Sequence, residues 1–444
     1  MNEVLDPILS IGQTNESPYL SAALSIADQL VRESIPTKVG VTWSGDDYEG
    51  IDESSLKIVH RPVGADLYSG AVGIAWFLAH IAKLTNDATY AKTAEEGLKF
   101  ALNNINTLDN SANINLPNIG LYSGATGVSL AVIEAANCLN SKDLYKAGVN
   151  LAKQVANQVI AEPSMMEYDL ISGNAGVILG LLSVYRHSMD ALLLKACHAS
   201  SVQLIKGQQK NWFGGAWYPT HNSTPALCGL GHGASGAGWA LSEMAWLTKN
   251  QAYSTAANAA FQYERSWFAP EHSAWPDLRE YSSASMQKQQ WPGWTNAWCH
   301  GAFGIGAVRL RLYETTQNIT ALAEASAAIQ AARMFIAQAG VSLKQGNIVD
   351  TTLCHGLSGA VELLLLAHEV LGGQDHLRAA RYTGDLCFDH YNANGKSWAL
   401  GLRGAKKIPG LFLGLAGVGT TMLRLHNPEI VQSPMLAGRM AKNR

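Results

Sequence analysis

The chain has 444 residues, a formal net charge of −3, 15% charged residues and 47% hydrophobic ones. Average soluble proteins carry roughly a quarter charged residues, so much of this chain must be buried, in two or three domains or one large repeat array. The near balance of acid and base excludes nucleic acid and anionic membrane as evident partners.

Residues 1–42 read as an N-terminal lead-in. "MNEVLDPILSIGQTNE" carries acids where a signal peptide carries bases, and it lacks a long apolar run. No apolar stretch reaches the roughly 18 to 20 residues of a transmembrane helix without a charge or a His, so no membrane span is expected. Behind the lead-in, "LYSGAVGIAWFLA" places Gly70 and Gly73 ahead of a run that is apolar nearly all round, the pattern of a buried helix. "ATYAKTAEEGLKFALNNI" follows, with Ala, Leu and Phe on one face and Lys and Glu on the other, the pattern of an amphipathic outer helix. The Gly-x-x-Gly and its apolar sequel return at Gly124 and Gly127, Gly173 and Gly176, Gly233 and Gly236, Gly301 and Gly304, Gly356 and Gly359, and Gly414 and Gly417. The first glycines lie 54, 49, 60, 68, 55 and 58 residues apart. One such motif is weak evidence. Seven with this spacing predict seven helix-pair repeats of about 55 residues and an all-α fold. Stacked pairs build an open solenoid or a closed ring. So apolar an inner set favours closure, because an open array would expose its concave face. The tail, residues 427–444, reads as a polar end.

Equivalent positions in successive repeats share one end of the structure. The residue before the first glycine runs Ser69, Ser123, Ser172, His232, His300, His355, Leu413. The one before that runs Tyr68, Tyr122, Ile171, Gly231, Cys299, Cys354, Phe412. The Cys and His residues therefore fall in consecutive repeats and are expected to be neighbours in space. Two Cys and a His suit zinc, and three protein ligands leave the open position of a catalytic site. A metal there would deprotonate an incoming thiol, and each motif opens a helix whose dipole favours a thiolate. The six cysteines are too scattered for a disulfide framework, so a cytoplasmic protein with free thiols is expected.

"WCHGAFGIG", "CHGLSG", "GHGASGAGWAL", "DLISGNAGVILGL", "YERSWF…WPDLRE" and "PGLFLGLAGVG" resemble the blocks of the lanthionine synthetase C-like cyclases. The likeness looks closest to the cyclase domain of class II bifunctional lanthipeptide synthetases and spans residues 43–426. It implies a closed α,α-toroid, a double α-barrel of seven inner and seven outer helices. It implies one Zn2+ per chain, held by Cys299, Cys354 and His355. The implied reaction is a Michael-type addition. A peptide Cys thiolate attacks dehydroalanine or dehydrobutyrine in the same peptide and closes a thioether ring. The implied partner is a dehydrated precursor peptide. The dehydratase domain of the bifunctional enzymes is absent from the sequence, so the chain is either a stand-alone cyclase, with a separate dehydratase as a partner, or an excised domain of a bifunctional enzyme. The family's proton-handling His falls on His232 and its supporting Asp on Asp169. His300 stands where class I enzymes have Tyr and class II domains have His. Some relatives have an Arg where this chain has Thr295. Arg279 is the candidate substitute, and with His300 a candidate supporting residue around the metal.

Several of these residues have a plainer reading. Asp66 precedes Gly70 by the same offset as Asp169 precedes Gly173, so a recurring loop cap accounts for both. Cys228, Cys138, Cys197 and Cys387 read as core thiols, and Tyr68, Tyr122 and Trp298 as ring packing. Three other functions compete. One adds a small thiol such as glutathione to dehydroamino acids, with the same zinc. Another is a non-catalytic toroid scaffold. The last is a sugar hydrolase, which would need two carboxylates where the motifs offer Ser, His and Cys.

Overall fold

The structure, a computed structural model, describes residues 17–49, 57–106, 116, 118–162, 167–218, 225–279 and 292–439. The outermost parts of the expected lead-in and tail, residues 1–16 and 440–444, lie outside the described residues. The described chain opens on α1 (Pro18–Arg32) and two antiparallel hairpins. These are β1 (Ile35–Thr37) with β2 (Gly40–Thr42), and β3 (Ser44–Glu49) with β4 (Lys57–Pro62). The next helices are α2 (Ala71–Thr85), α3 (Ala88–Asn106), α4 (Ala125–Leu139), α5 (Lys142–Ala161), α6 (Asn174–Ser188) and α7 (Ala191–Gly207). A third hairpin, β5 (Gln209–Asn211) with β6 (Gly214–Ala216), precedes α8 (Ala234–Thr248) and α9 (Gln251–Arg265). The last helices are α10 (Ala302–Thr316), α11 (Ile319–Lys344), α12 (Leu357–Leu371), α13 (Gln374–Cys387) and α14 (Leu415–His426). The fold is mostly helical, as the motif spacing predicts.

Each of α2, α4, α6, α8, α10, α12 and α14 starts directly after the first glycine of a motif. The second glycine is required by a close approach. A Cβ on Gly127 would lie 1.7 Å from the Leu121 carbonyl oxygen, and one on Gly417 1.8 Å from that of Leu411. At the far end, a left-handed residue and then a capping side chain turn the chain back. Met189 has φ 53°, and Asp190 accepts the Leu192 N–H at 3.0 Å. Lys249 with Asn250, and Gln317 with Asn318, repeat the device. The Met189 side chain is 69% exposed and packs little. Met189→Gly should therefore raise stability by about 0.5–1 kcal/mol, read as a higher urea midpoint at unchanged slope, because only glycine takes this conformation without steric cost.

Inner helices α2, α4, α6, α8, α10, α12 and α14 each pack on a neighbour in that order, and α14 packs on α2. Each also packs on an outer partner: α3, α5, α7, α9, α11, α13 and, for α14, α1. Part of the expected lead-in is thus the outer partner of the last inner helix. Its Tyr19, Ala22, Ala23, Ile26, Ala27 and Leu30 recur at helical period and are buried. The loops ahead of the inner helices are joined by backbone hydrogen bonds. Tyr68 donates to Tyr122 (2.9 Å), Tyr122 to Ile171 (3.0 Å), Leu170 to Gly231 (3.1 Å) and Gly231 to Cys299 (3.0 Å). Trp298 donates to Cys354 (2.6 Å), Cys354 to Phe412 (3.1 Å) and Phe412 to Tyr68 (2.9 Å). The series returns to where it began.

Two expectations need correction. The tail is not a polar end. Val431, Ser433, Pro434, Met435 and Leu436 are buried, and the carbonyls of Pro434 and Met435 accept hydrogen bonds from the Tyr122 hydroxyl (3.1 and 3.3 Å), with Met435 also taking the Trp298 indole N–H (2.9 Å). Nor are the inner helices uniformly apolar. Arg309, Arg311 and Arg424 are buried in ion pairs with Glu264 and Glu324, Glu243 and Glu314, and Glu362 and Glu369. Among the described residues one helix, α11, is long and apolar enough by length and composition to cross a membrane, although it carries Glu324 and Arg333. It packs on α10 and α12.

Candidate functional site

The loop-to-helix junctions bring Cys299, Cys354, His355, His232 and His300 to one end of the helical array. Cys354 is buried and Cys299 partly exposed, and their sulfurs lie 3.5 Å apart. Two thiolates on one tetrahedral zinc, with Zn–S bonds near 2.3 Å, lie about 3.8 Å apart, so the pair already has the spacing such an ion takes. The Cys299 thiol is held down at about 6. The Cys354 hydrogen bond is the main cause, and the charges of Arg279, His355 and His232 add to it against the effect of burial. Cys354, the donor, is pushed well up by that same hydrogen bond and by burial.

His355 gives its Nδ1 to Asp350 Oδ2 at 2.9 Å. That leaves Nε2 for a metal, with the carboxylate behind the ring fixing the tautomer. Burial opposes a charge on His355, but Asp350 and Cys299 outweigh it and raise the pKa. Among the described residues, no three His, Cys, Asp or Glu side chains are gathered closely enough to hold a metal ion. The thiols meet as a pair, and His355 acts on Cys299 through its charge.

His232 Nδ1 meets Asp169 Oδ2 at 2.6 Å. The other Asp169 oxygen accepts the N–H of Ser172 at 2.8 Å and its hydroxyl at 3.1 Å. Asp66 makes the same loop contact with Ser69. Asp169 is therefore both the recurring cap and the carboxylate behind His232. His300 stacks on His232 with ring centroids 5.6 Å apart. It is buried, its ring nitrogens find no partner at hydrogen-bonding geometry, and burial first, then the Arg279 charge, pushes its pKa down to about 3. It is a neutral ring.

Arg279 grips buried Asp277 through Nε (3.0 Å) and Nη2 (2.6 Å), and its charge reaches Cys299, His300 and His355. Thr295 contributes backbone. A Cβ on Gly301, whose φ is 97°, would overlap the Thr295 carbonyl. Cys228 stays apart as a buried thiol, pushed up by burial and by Glu264. Cys138, Cys197 and Cys387 are core.

Sequence reasoning missed Asp350 and Tyr68. Tyr68 stacks on Phe412 at 4.9 Å, and its hydroxyl acts on the Cys354 thiol to favour the thiolate, so it is more than packing. The signal was there, because Tyr68 occupies the column of Cys299 and Cys354. Tyr122 and Trp298 are fully buried as expected, but they also hydrogen-bond the C-terminal segment.

Helix pairs that carry a thiol pair and two carboxylate-backed histidines at one end define a mostly helical protein with a candidate site of thiols and imidazoles. The sequence matches the lanthionine synthetase C-like protein family over residues 61–436, and the chain belongs to that family. Among solved structures it is similar to "Nisin cyclase", with 17% identity, a TM-score of 0.62, 94% of this chain covered and 96% of that one. The two therefore share a fold. Two family 76 glycoside hydrolase structures from Bacteroides thetaiotaomicron strains are more distant. One, an α-mannanase, is 9% identical with TM-score 0.44, covering 95% of this chain and 98% of that one. The other is 12% identical with TM-score 0.46, covering 93% and 78%. Likeness at that level does not bear on function.

Proposed function

We propose that the chain is a zinc-dependent cyclase that forms lanthionine or methyllanthionine thioether rings in a dehydrated peptide, built as a closed α,α-toroid of seven inner and seven outer helices. The thiol pair, 3.5 Å apart within reach of the His232 and His355 charges, carries this reading. Closure is supported by the hydrogen-bond series that returns from Phe412 to Tyr68 and by the packing of α14 on α2. The six free thiols suit a reducing compartment such as the cytoplasm.

Cys299 and Cys354 would hold the zinc as a pair, and His355, which is not gathered with them in the structure, would have to turn its free Nε2 toward the ion to complete the set. When bound, the ion supplies the Lewis acidity that keeps a peptide thiol deprotonated at neutral pH. The rest falls to side chains. Asp169 fixes Nδ1–H of His232, so Nε2 is the nitrogen that exchanges a proton. It takes the thiol proton. The sulfur then forms a bond to the β-carbon of dehydroalanine or dehydrobutyrine, and the C=C pair moves toward the carbonyl as an enolate. His232 returns the proton to the α-carbon, so atoms and charge balance. Arg279, steadied by Asp277, places positive charge near the developing enolate. His300, buried and neutral, backs the His232 ring and keeps water from that side. The substrate's dehydroamino acids imply a dehydratase acting earlier.

The test uses a dehydrated peptide with one Cys. Cyclisation leaves its mass unchanged and removes the alkylatable thiol. About one zinc per chain and loss of that thiol are expected, with activity abolished by chelation. Metal-free protein that still closes rings would overturn the zinc assignment. No ring at all in zinc-loaded protein would overturn the activity. His232→Asn should lower the rate about 10²- to 10⁴-fold with zinc content unchanged.

A further inference from the structure

The end of the described chain meets inner helices on all sides of the array. Arg424 of α14 holds the carbonyls of Pro428 (3.1 Å) and Val431, and Ser433 donates to Glu362 of α12 at 2.7 Å. Arg439 reaches Glu369 of α12 and Glu314 of α10, both at 2.9 Å. Gly438, at φ 86°, lies so close to α6 that a Cβ would stand 2.9 Å from the Leu179 carbonyl oxygen. Pro434 and Ala437 face Trp76 of α2 and Glu134 of α4 across a cavity. In the closed ring proposed above, a segment makes these contacts only from inside. Its apex, a short helical turn at Pro434–Leu436, is buried under the motif loops. There the Met435 carbonyl takes the Trp298 indole N–H at 2.9 Å. The Tyr122 hydroxyl donates to the Pro434 carbonyl at 3.1 Å and accepts the Ala437 N–H at 3.2 Å. Trp298 precedes Cys299, and its own N–H donates to the Cys354 carbonyl at 2.6 Å. Its ring packs on Tyr122 at 4.8 Å and Phe412 at 4.4 Å. One residue is thus clamped at two ends, by backbone to the Cys354 loop and by its indole to the C-terminal segment.

We propose that residues 431–439 form a plug inside the ring whose apex positions the thiol pair, holding Trp298 so that Cys299 keeps its spacing from Cys354. The use of that spacing for zinc rests on the cyclase reading, whereas the positioning itself does not. The two cysteines stand 55 residues apart on separate loops, so their 3.5 Å approach depends on what joins those loops. Trp298 is the join nearest Cys299. Its indole N–H, fully buried, would be costly to leave without an acceptor, and the Met435 carbonyl is the acceptor the plug supplies. Two sulfurs already held together lose little freedom when one atom bridges them, so the plug raises the affinity for any such atom. Trp298 and Tyr122, both buried beneath the loops, act here as positioning residues.

The experiment keeps the chain at full length. Tyr122→Phe removes one hydroxyl from the contact with the plug, and Trp298→Phe removes the indole N–H but keeps an aromatic ring. Tyr19→Phe is the control. It loses a comparable hydroxyl on α1, bonded to Asp385 at 2.6 Å and to the Arg381 carbonyl at 3.1 Å, away from the motif loops. Two probes report on the pair without turnover. The first is Zn2+, its affinity read by competition with a chromophoric chelator. The second is phenylarsine oxide on metal-free protein. Its arsenic forms a bond to each of two thiols, and its oxygen leaves as water with both thiol protons. Tyr122→Phe and Trp298→Phe should each bind both probes about tenfold more weakly, and the double variant should lose less than the product, because both ties hold one segment. Tyr19→Phe should bind both probes as wild type does, even where its melting point falls as far. Unchanged affinity for both probes in the two plug variants would overturn the proposal. An equal loss in Tyr19→Phe would do the same, since the effect would then follow general stability. Wild type that takes up neither probe also overturns it, because the thiols then do not stand as a pair. Wild type that takes up the arsenical but no zinc sinks the zinc reading, and the arsenical comparison still decides the positioning.

Discussion

Cys354→Ala is expected to reduce bound zinc from about one per chain to below about a tenth, and to lower ring closure by at least about 10³-fold. Three features make this variant decisive. The thiol is fully buried and 3.5 Å from Cys299, so no other side chain can replace it. Its contribution to the architecture is mostly backbone, through the bonds to Phe412 (3.1 Å) and from Trp298 (2.6 Å), and alanine keeps both. The loss of one sulfur from the interior costs stability on the order of 1 kcal/mol, too little to unfold the chain. Cys299→Ala should match it, and the double variant should be no worse than either, because in the proposed site the two sulfurs would serve one ion. Cys228→Ala is the control. It removes an equally buried thiol four residues before His232, but one that lies beside Glu264 rather than the pair. It should keep both zinc and activity. Zinc counts come from mass spectrometry of the metal in purified protein. A Cys354→Ala protein that retained a full ion would move the metal elsewhere.

The repeat was legible in the sequence because glycine at the second motif position is a backbone requirement, set by the carbonyl of the residue six earlier, and such requirements recur with the helix pairs. The same alignment put Cys299, Cys354, His232 and His300 in one column or its neighbour. Other features left no periodic mark. α1 belongs to the last inner helix but lies at the other end of the chain, so no local spacing connects it to Gly414. The buried arginines sit in runs such as "GIGAVRLRLYE", where every partner carboxylate except Glu314 comes from another helix. Burial of a charge depends on that partner, which a single run cannot display. Arg279 was only a candidate by proximity in sequence. Its reach to Cys299 arises from the Asp277 clasp. Asp169 could not be divided between cap and supporting carboxylate, because its two oxygens do both.

Arg424→Met is expected to be the most destabilising of these changes, at about 3–5 kcal/mol. Arg424 and Glu362 are both fully buried, joined through Nε to Oε1 at 3.0 Å and Oε2 at 2.8 Å. Nη2 reaches Glu369 at 2.7 Å, and Nη1 holds the carbonyls of Pro428 and Val431. Methionine fills much of the volume but leaves Glu362 with Ser433 alone, at 2.7 Å. An uncompensated buried carboxylate must then take a proton or draw in water. Burial already raises the Glu362 pKa, and losing the arginine raises it further. The sign follows. A group whose folded pKa lies above its unfolded value supports the fold below the unfolded pKa and withdraws that support as pH rises through the folded one. The variant's deficit should therefore widen from pH 5 to pH 8, seen as a growing gap between urea midpoints. Glu362→Gln in the same chain should recover part of the loss and flatten the pH dependence, a coupling the single variants cannot produce if the two residues act independently. Because the guanidinium also holds the buried C-terminal segment, protease should cut residues 427–439 faster in Arg424→Met than in wild type. Equal cutting would show that Tyr122 and Trp298 suffice to keep the segment in place.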